Sequence, residues 1–593
     1  MKKYRKLACI LAGSMIISLC TGCIGTTEAV TEEAKENTEE SRKVKKADTQ
    51  EIDQVHLRDK DSLYENDEET SVVTMYLTVS KGNSSENTDH TWQEINSYST
   101  YDYDEMGVER YQTAALLQVG DENGPVEGMV GYGENVPNAT VQIRGQTSSR
   151  NAQKNYKIEL KKNKGTWRGQ RTINLNKHMT EGMRFRNKLA YDLLKGIPQL
   201  LSLRTQFVHL YVKDTTDGSA DSEFEDYGLY TQVEQLNKTG LKNHGLDSNG
   251  QLYKINYFEF YRNEDVIKLQ SDPTYNSAAF EELLEIKGNT DNSKLIQMLD
   301  AVNDYSIPID KILEDYFDEE NLTYWMGFQI LMGNVDTQNR NMYLYSPLNS
   351  DTWYFIPWDN DNCLMRSEYN MTGFSDHKSW ESGISNYWGN LLFQRCLKSD
   401  HFRQKLDEAI LDLKEYLSKE RMSAMVEKYK DVVKPYLYEM PDEFYAPLTS
   451  EQYDEIAAAL PKEIEQNYQL YVESLSKPMP FYIGVPETDG EKMKITWDPS
   501  YSFDAEDITY SVEVAKDYLF QDVIYSQEGL QIPETQVSLP EAGQYFIRVR
   551  AFNEEGDAQD AFDYYVTDEG KHYGMKCIYV TEDGQIEEDI YEE

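Results

Sequence analysis

Apolar and polar positions divide the chain into three stretches with different periods. The run Val72-Val73-Thr74-Met75-Tyr76-Leu77-Thr78-Val79 is rich in β-branched residues and predicts a strand. Further strand-like segments lie at 114–119, 140–144, 156–160, 207–212 and 228–234, with one amphipathic helix near 183–194 among them. From about 276 the period becomes helical, over 276–286, 293–301, 309–315, 319–332, 387–399, 401–417, 419–436 and 450–474. Inside this helical stretch sits a short strand pair, 342–345 and 353–357, joined by a turn containing Pro347, Asn349 and Asp351. Past Pro478 and Pro480 the pattern is all-β, with strands at 492–497, 509–514 and 522–526. There Tyr545, Ile547, Val549 and Ala551 share one face, and Phe546, Arg548 and Arg550 the other. The expected fold class is α+β: a mixed lobe, a helical lobe with an embedded hairpin, then a β-sandwich.

The first 23 residues have a separate logic. Lys2, Lys3, Arg5 and Lys6 precede an apolar run from Leu7 to Leu19, too short for a span of roughly 20 residues but suited to a signal peptide. Thr21-Gly22-Cys23 then resembles a bacterial lipobox. The resemblance implies cleavage before Cys23 and a diacylglycerol on its thiol. The expected location is the outer face of the cytoplasmic membrane; an ordinary cleaved signal or an uncleaved anchor is the alternative. Residues 24–70, rich in Glu, Lys, Thr and Asp, read as a disordered acidic tether.

Charge narrows the partners. A net charge of -45 repels nucleic-acid phosphates, so no nucleic-acid role is expected. Beyond the signal only Cys363, Cys396 and Cys577 remain, which give neither zinc spacing nor a disulfide framework. The 44 tyrosines against 19 phenylalanines have no firm physical account. Residues 568–593 read as an acidic tail.

Candidate chemistry concentrates in Gly333-Asn334-Val335-Asp336-Thr337-Gln338-Asn339-Arg340-Asn341, the hairpin after it, and Ile356-Pro357-Trp358-Asp359-Asn360-Asp361. Pairing of the hairpin strands returns Asp359 toward Asn341. Two acids and an amide are hard oxygen ligands, suited to magnesium or manganese on phosphates. Protein kinases use the same order, an Asp-x4-Asn loop, a hairpin and a metal-binding Asp. Here the flanking His-Arg and Phe-Gly are missing, and a polar loop held by Asx-turns is the alternative. A second cluster, Arg144-Gly145-Gln146-Thr147-Ser148-Ser149-Arg150, offers phosphate donors around a glycine. Of the two lysines that follow, Lys154 and Lys157, the latter lies within a strand and is the favoured phosphate contact.

Over roughly 71–475 the chain resembles the CotH kinase family, atypical protein kinases first associated with bacterial spore coats. The likeness rests on the 144–150 cluster with Lys154-Asn155-Tyr156-Lys157, on Asn174-Leu175-Asn176, and on Met183-Arg184-Phe185-Arg186-Asn187-Lys188-Leu189-Ala190. It continues through 227–235, Asn341-Met342-Tyr343-Leu344-Tyr345 and 356–361, while Thr337-Gln338 departs from the aromatic or His common there. The resemblance implies a divergent, two-lobe kinase-like fold that uses ATP with Mg2+ or Mn2+ to phosphorylate Ser or Thr of secreted or envelope proteins. By the same motifs, Asp336 is the catalytic aspartate, Asn341 and Asp359 are metal ligands, and Arg144 and Lys157 meet phosphates. Trp353 and Trp358 are candidates for adenine stacking or for the core, Glu234 for orienting a lysine or ending a strand, and Asp361 for aiding the metal or capping. The stretch 478–567 resembles a fibronectin type III domain, with Tyr545 at the corner where a tyrosine hydroxyl closes the turn. Two other readings stand beside the kinase: a non-catalytic scaffold for envelope assembly or adhesion, and contact with polysaccharide through exposed aromatic rings.

Overall fold

A computed structural model describes residues 56–218, 222–373, 380–567 and 570–589. The signal segment, Cys23 and most of the tether lie outside the described residues. Among those described, no helix is long and apolar enough to cross a membrane.

The strand signals near the start build one sheet. Its members are β1 (Val72–Ser80), β2 (Thr113–Asp121), β3 (Gly124–Pro125) and β4 (Ala139–Arg144), followed by β5 (Asn155–Leu160), β6 (Thr172–Asn176), β7 (Thr205–Asp214) and β8 (Glu225–Glu234). Their order is β1-β7-β8-β6-β5-β4-β2-β3, and β1 also pairs with β2, so the sheet closes on itself. Strand β1 runs parallel to β7, with Val72 opposite Phe207. Alternate positions such as Leu77, Leu117, Val141, Ile158, Leu175 and Val208 fill the core inside this ring. The intervening positions on β4, β5 and β6 are polar: Gln142, Arg144, Lys157, Asn174 and Asn176. The face away from the ring core is therefore built for water or a ligand at this end.

The second lobe is helical around a four-stranded sheet. That sheet orders as β10 (Leu284–Ile286), β9 (Gln251–Ile255), β11 (Met342–Ser346) and β12 (Tyr354–Pro357). The predicted helices are present, Glu319–Leu331, Asp400–Tyr416, Lys419–Leu437 and Ser450–Ser476 among them. One expectation fails: the helix over 276–286 stops at Leu283, and its last three residues pair with β9 instead. Glu319–Leu331 is apolar on nearly all sides because other elements surround it, and Trp325, Phe328 and Leu331 are fully buried.

The C-terminal stretch is all β, and two of its sheets share a core. One sheet orders as β13 (Glu487–Thr488), β14 (Lys492–Thr496) and β17 (Glu534–Ser538). The other runs β16 (Val523–Leu530), β15 (Thr509–Ala515), β18 (Gly543–Phe552), β22 (Met575–Val580) and β23 (Ile586–Glu588), with β19 (Ala558–Asp560) also on β18, while β20 (Tyr564–Thr567) and β21 (Gly570–Tyr573) pair by themselves. Met493 and Ile495 from the first meet Val512, Val514, Ile547 and Val549 from the second. This region is fixed to the helical lobe by aromatic rings, with Trp380 against Phe562 at 4.9 Å and Trp388 against Tyr501 at 5.3 Å.

Two boundaries shift. Residues 56–70 are packed against the folded body, not part of a free tether: Leu57 is buried, Asp59 meets His244 at 2.6 Å, and Tyr64 donates to the Ser202 carbonyl at 2.8 Å. Their polar composition concealed this because the anchors are hydrogen bonds and one leucine. The acidic tail likewise supplies β22, which pairs along β18 from Gly543 to Arg548 and buries Cys577.

Candidate active site

The helix Glu319–Leu331 delivers the first loop. It ends through Gly333, whose backbone is left-handed (φ +62) and where a Cβ would lie 2.7 Å from the Asn467 side chain. Side chains then pin the loop. Asn334 donates to Gln329 at 2.9 Å, Asn386 to the Val335 carbonyl at 3.1 Å, and Asn390 to the Gln338 carbonyl at 2.9 Å. Asp336 hangs from this frame. Its carboxylate accepts from Arg340 Nε at 2.6 Å and from Asn341 Nδ2 at 2.9 Å.

The hairpin brings the second acid back. Met342 pairs with Pro357, and Trp358 N–H donates to the Asn341 carbonyl at 3.2 Å. Asp359 thereby emerges beside Asn341. Both residues are left-handed, at φ 57 for Asn341 and φ 55 for Asp359, a conformation that costs side-chain-bearing residues about 1–3 kcal/mol. The surroundings enforce it: Asp359 N–H donates to Tyr191 Oη at 3.2 Å and Asn360 N–H to Asn187 Oδ1 at 3.1 Å. Asp361 closes the group, with His178 Nδ1 3.4 Å from its carboxylate.

Three carboxylates thus stand within electrostatic reach of one another. Burial pushes the Asp359 carboxyl above the usual carboxylate range, Asp361 pushes it further, and Arg144, His178 and Lys254 only partly oppose this. Burial also raises Asp336, against the pull of Arg340, and Asp361 adds to the rise. Among the described residues no three His, Cys, Asp or Glu side chains form a metal-holding group by themselves. The donors here are instead an amide and carboxylates with excess negative charge, which fits a divalent ion whose remaining ligands come from a phosphate.

The other sequence candidates divide. Arg144 extends from the first lobe, hydrogen-bonds Asn176, and is among the charges acting on Asp359. Lys157 does not join them; its ammonium pairs with Glu159 on its own strand at 3.3 Å, both side chains over a third exposed. Lys154 is committed to the Ser149 carbonyl at 2.7 Å. Glu234 orients no lysine; it holds Arg204 at 2.7 Å and His244 at 3.0 Å. Trp353 and Trp358 are buried, at 1% and 4% exposure, and belong to the core. Sequence reasoning missed His178, Asn187, Tyr191 and Lys254. Asn187 lies within a motif that was singled out, but nothing local marked it as a support for Asn360.

A family model described as CotH kinase protein matches residues 141–471. No curated protein matches the chain. Among solved structures, the chain is similar to the Helicobacter pylori proinflammatory kinase CtkA at 11% identity, covering 54% of this chain and 94% of that one, with a TM-score of 0.26. It is also similar to the Twitchin kinase region from C. elegans at 16% identity and a TM-score of 0.12, covering 16% of this chain and about a fifth of that one (20%). Both scores are too low to say anything of the fold.

Proposed function

The chain belongs to the CotH kinase family, and we propose that it is a surface-anchored protein kinase transferring the γ-phosphoryl group of ATP to Ser or Thr of secreted or envelope proteins. One observation carries the reading: the Met342–Pro357 pairing sets Asp359 against Asn341, one turn of loop from Asp336, with both carboxyls raised by burial and by Asp361. Asn341 and Asp359 would hold the metal, and Arg144 would meet phosphate oxygens from the opposite lobe. Asp336 would orient the acceptor hydroxyl and take its proton at a carboxylate oxygen. When bound, the nucleotide supplies the phosphoryl group and the Mg2+ or Mn2+ ion neutralises its oxygens. A lipid on Cys23 would hold the chain at the outer membrane face. The region after 478 would act as a fibronectin type III-like module, supported by the Tyr545 hydroxyl donating to the Glu541 carbonyl at 2.9 Å.

A second reading has its own support. Arg340 and Asn341 engage both oxygens of Asp336, which suits a scaffold whose kinase-like site is held closed. Incubating the purified chain with labelled ATP, Mn2+ and an envelope extract separates the two. The kinase reading expects protein-bound phosphate that Asp359→Ala abolishes. Absence of transfer to any acceptor, with ATP binding intact, favours the scaffold.

A further inference from the structure

Lys154 and Lys157, at the polar end of the first lobe, are both engaged, yet another lysine faces the acids. It comes from the other lobe, on β9. Along that strand Tyr253 points into the core against Phe280 and Trp353. By alternation Lys254 points the opposite way. It lies opposite Tyr343 on β11 and opposite Glu285 on β10. Tyr343 is buried directly behind the site: its hydroxyl meets Gln235 at 3.3 Å, its ring stands edge-on at 5.2 Å to Trp358, the residue before Asp359, and both Arg144 and Asp359 act on it. Lys254 is thus on the strand next to the hairpin that presents the acids, on the face that looks toward them.

Its charge environment agrees with this placement. Glu285, Asp359 and Arg144 are the charges that act most on Lys254. Its ion pair with Glu285 is loose: Nζ lies 4.0 Å away, and Lys287 holds that same carboxylate more closely. The side chain is 29% exposed, so the ammonium is reachable but partly shielded, where a charge interaction is worth more than in open water. Lys157, by contrast, spends its charge on Glu159 of its own strand.

We propose that Lys254, and not Lys157, is the lysine that meets the phosphate oxygens of a bound nucleotide, opposite Arg144 and beside Asp359. The assignment rests on the kinase reading. It divides the phosphate grip between the lobes, with Arg144 from β4 above and Lys254 from β9 below.

Calorimetric titration of the full chain with Mn2+–ATP and with Mn2+–AMP tests this. A phosphate contact predicts that Lys254→Met loses about tenfold or more of the preference for ATP over AMP, that Lys254→Arg keeps most of it, and that Lys157→Met keeps it whole. Lys254→Gln carries the same expectation as the Met variant, so a folding defect in one leaves the other to be read. An unchanged ATP preference in either variant overturns the assignment, as does loss of preference in Lys157→Met. Wild-type chain that binds no Mn2+–ATP overturns the kinase reading and this assignment with it.

Discussion

Asp359 and Glu234 are both carboxylates taken largely out of water, and the fold treats them in opposite ways. Glu234 is 1% exposed and fully matched, by Arg204, by His244 and by Gln170 at 2.7 Å. Those partners hold it well below the usual carboxylate range despite its burial. Asp359 has a second acid for a neighbour and a strained backbone, and is pushed up. A buried charge with every partner supplied is part of the architecture. One buried beside a second acid, with its charge only partly opposed, points outward, to something the chain binds.

The sharpest way to break this contrast is to remove each acid and read stability. Glu234→Gln strands Arg204 and His244 in the interior, and denaturant unfolding should lose about 3–5 kcal/mol. Close behind comes a pH effect. His244 sits between Asp59 and Glu234 with its pKa raised from 6.5 to about 9. A raised pKa adds stability that is complete below 6.5 and is lost as the pH climbs through 9. Between those limits the difference between wild type and His244→Gln should shrink by about 3 kcal/mol. Reading the difference removes the opposing trend of Lys177, whose pKa burial lowers to about 8.

Asp359→Asn should do the reverse of Glu234→Gln. With a repelled charge removed, the melting midpoint of the metal-free chain should rise by about a degree or two, while phosphoryl transfer is lost. A fall in the midpoint would mean that Asp359 is architectural after all. The smallest effect is expected at the edge of the β region. Tyr545→Phe removes one hydrogen bond to Glu541 and should cost about 1 kcal/mol in unfolding, leaving ATP binding unchanged.

The same contrast explains what could be read from the sequence. Asp336, Asn341 and Asp359 were legible because a hairpin of local register joins them, and a turn with Pro347 and Asn349 announces it. The helices after 293 were legible from their period. Lys254 was not, because β9 finds β11 across a long stretch of intervening chain and no short window records that pairing. The closure of the first sheet rests on β1 lying parallel to β7, again a pairing without a local signal. Residues 56–70 and the β22 strand were misread because composition weighs charge, while their packing depends on a few residues: Leu57, Tyr64, Met575 and Cys577. Lys157 looked right because it lies on a strand after a donor-rich turn. Only the partner on its own strand, Glu159, shows where its charge goes.

The most direct test is a crystal structure with Mn2+ and a non-hydrolysable ATP analogue, read from the anomalous signal of manganese. The expected result is a manganese peak at Asp359 and Asn341, with Asp336 facing the terminal phosphate. Manganese bound elsewhere, or nucleotide bound with those side chains unmoved and unliganded, would contradict it.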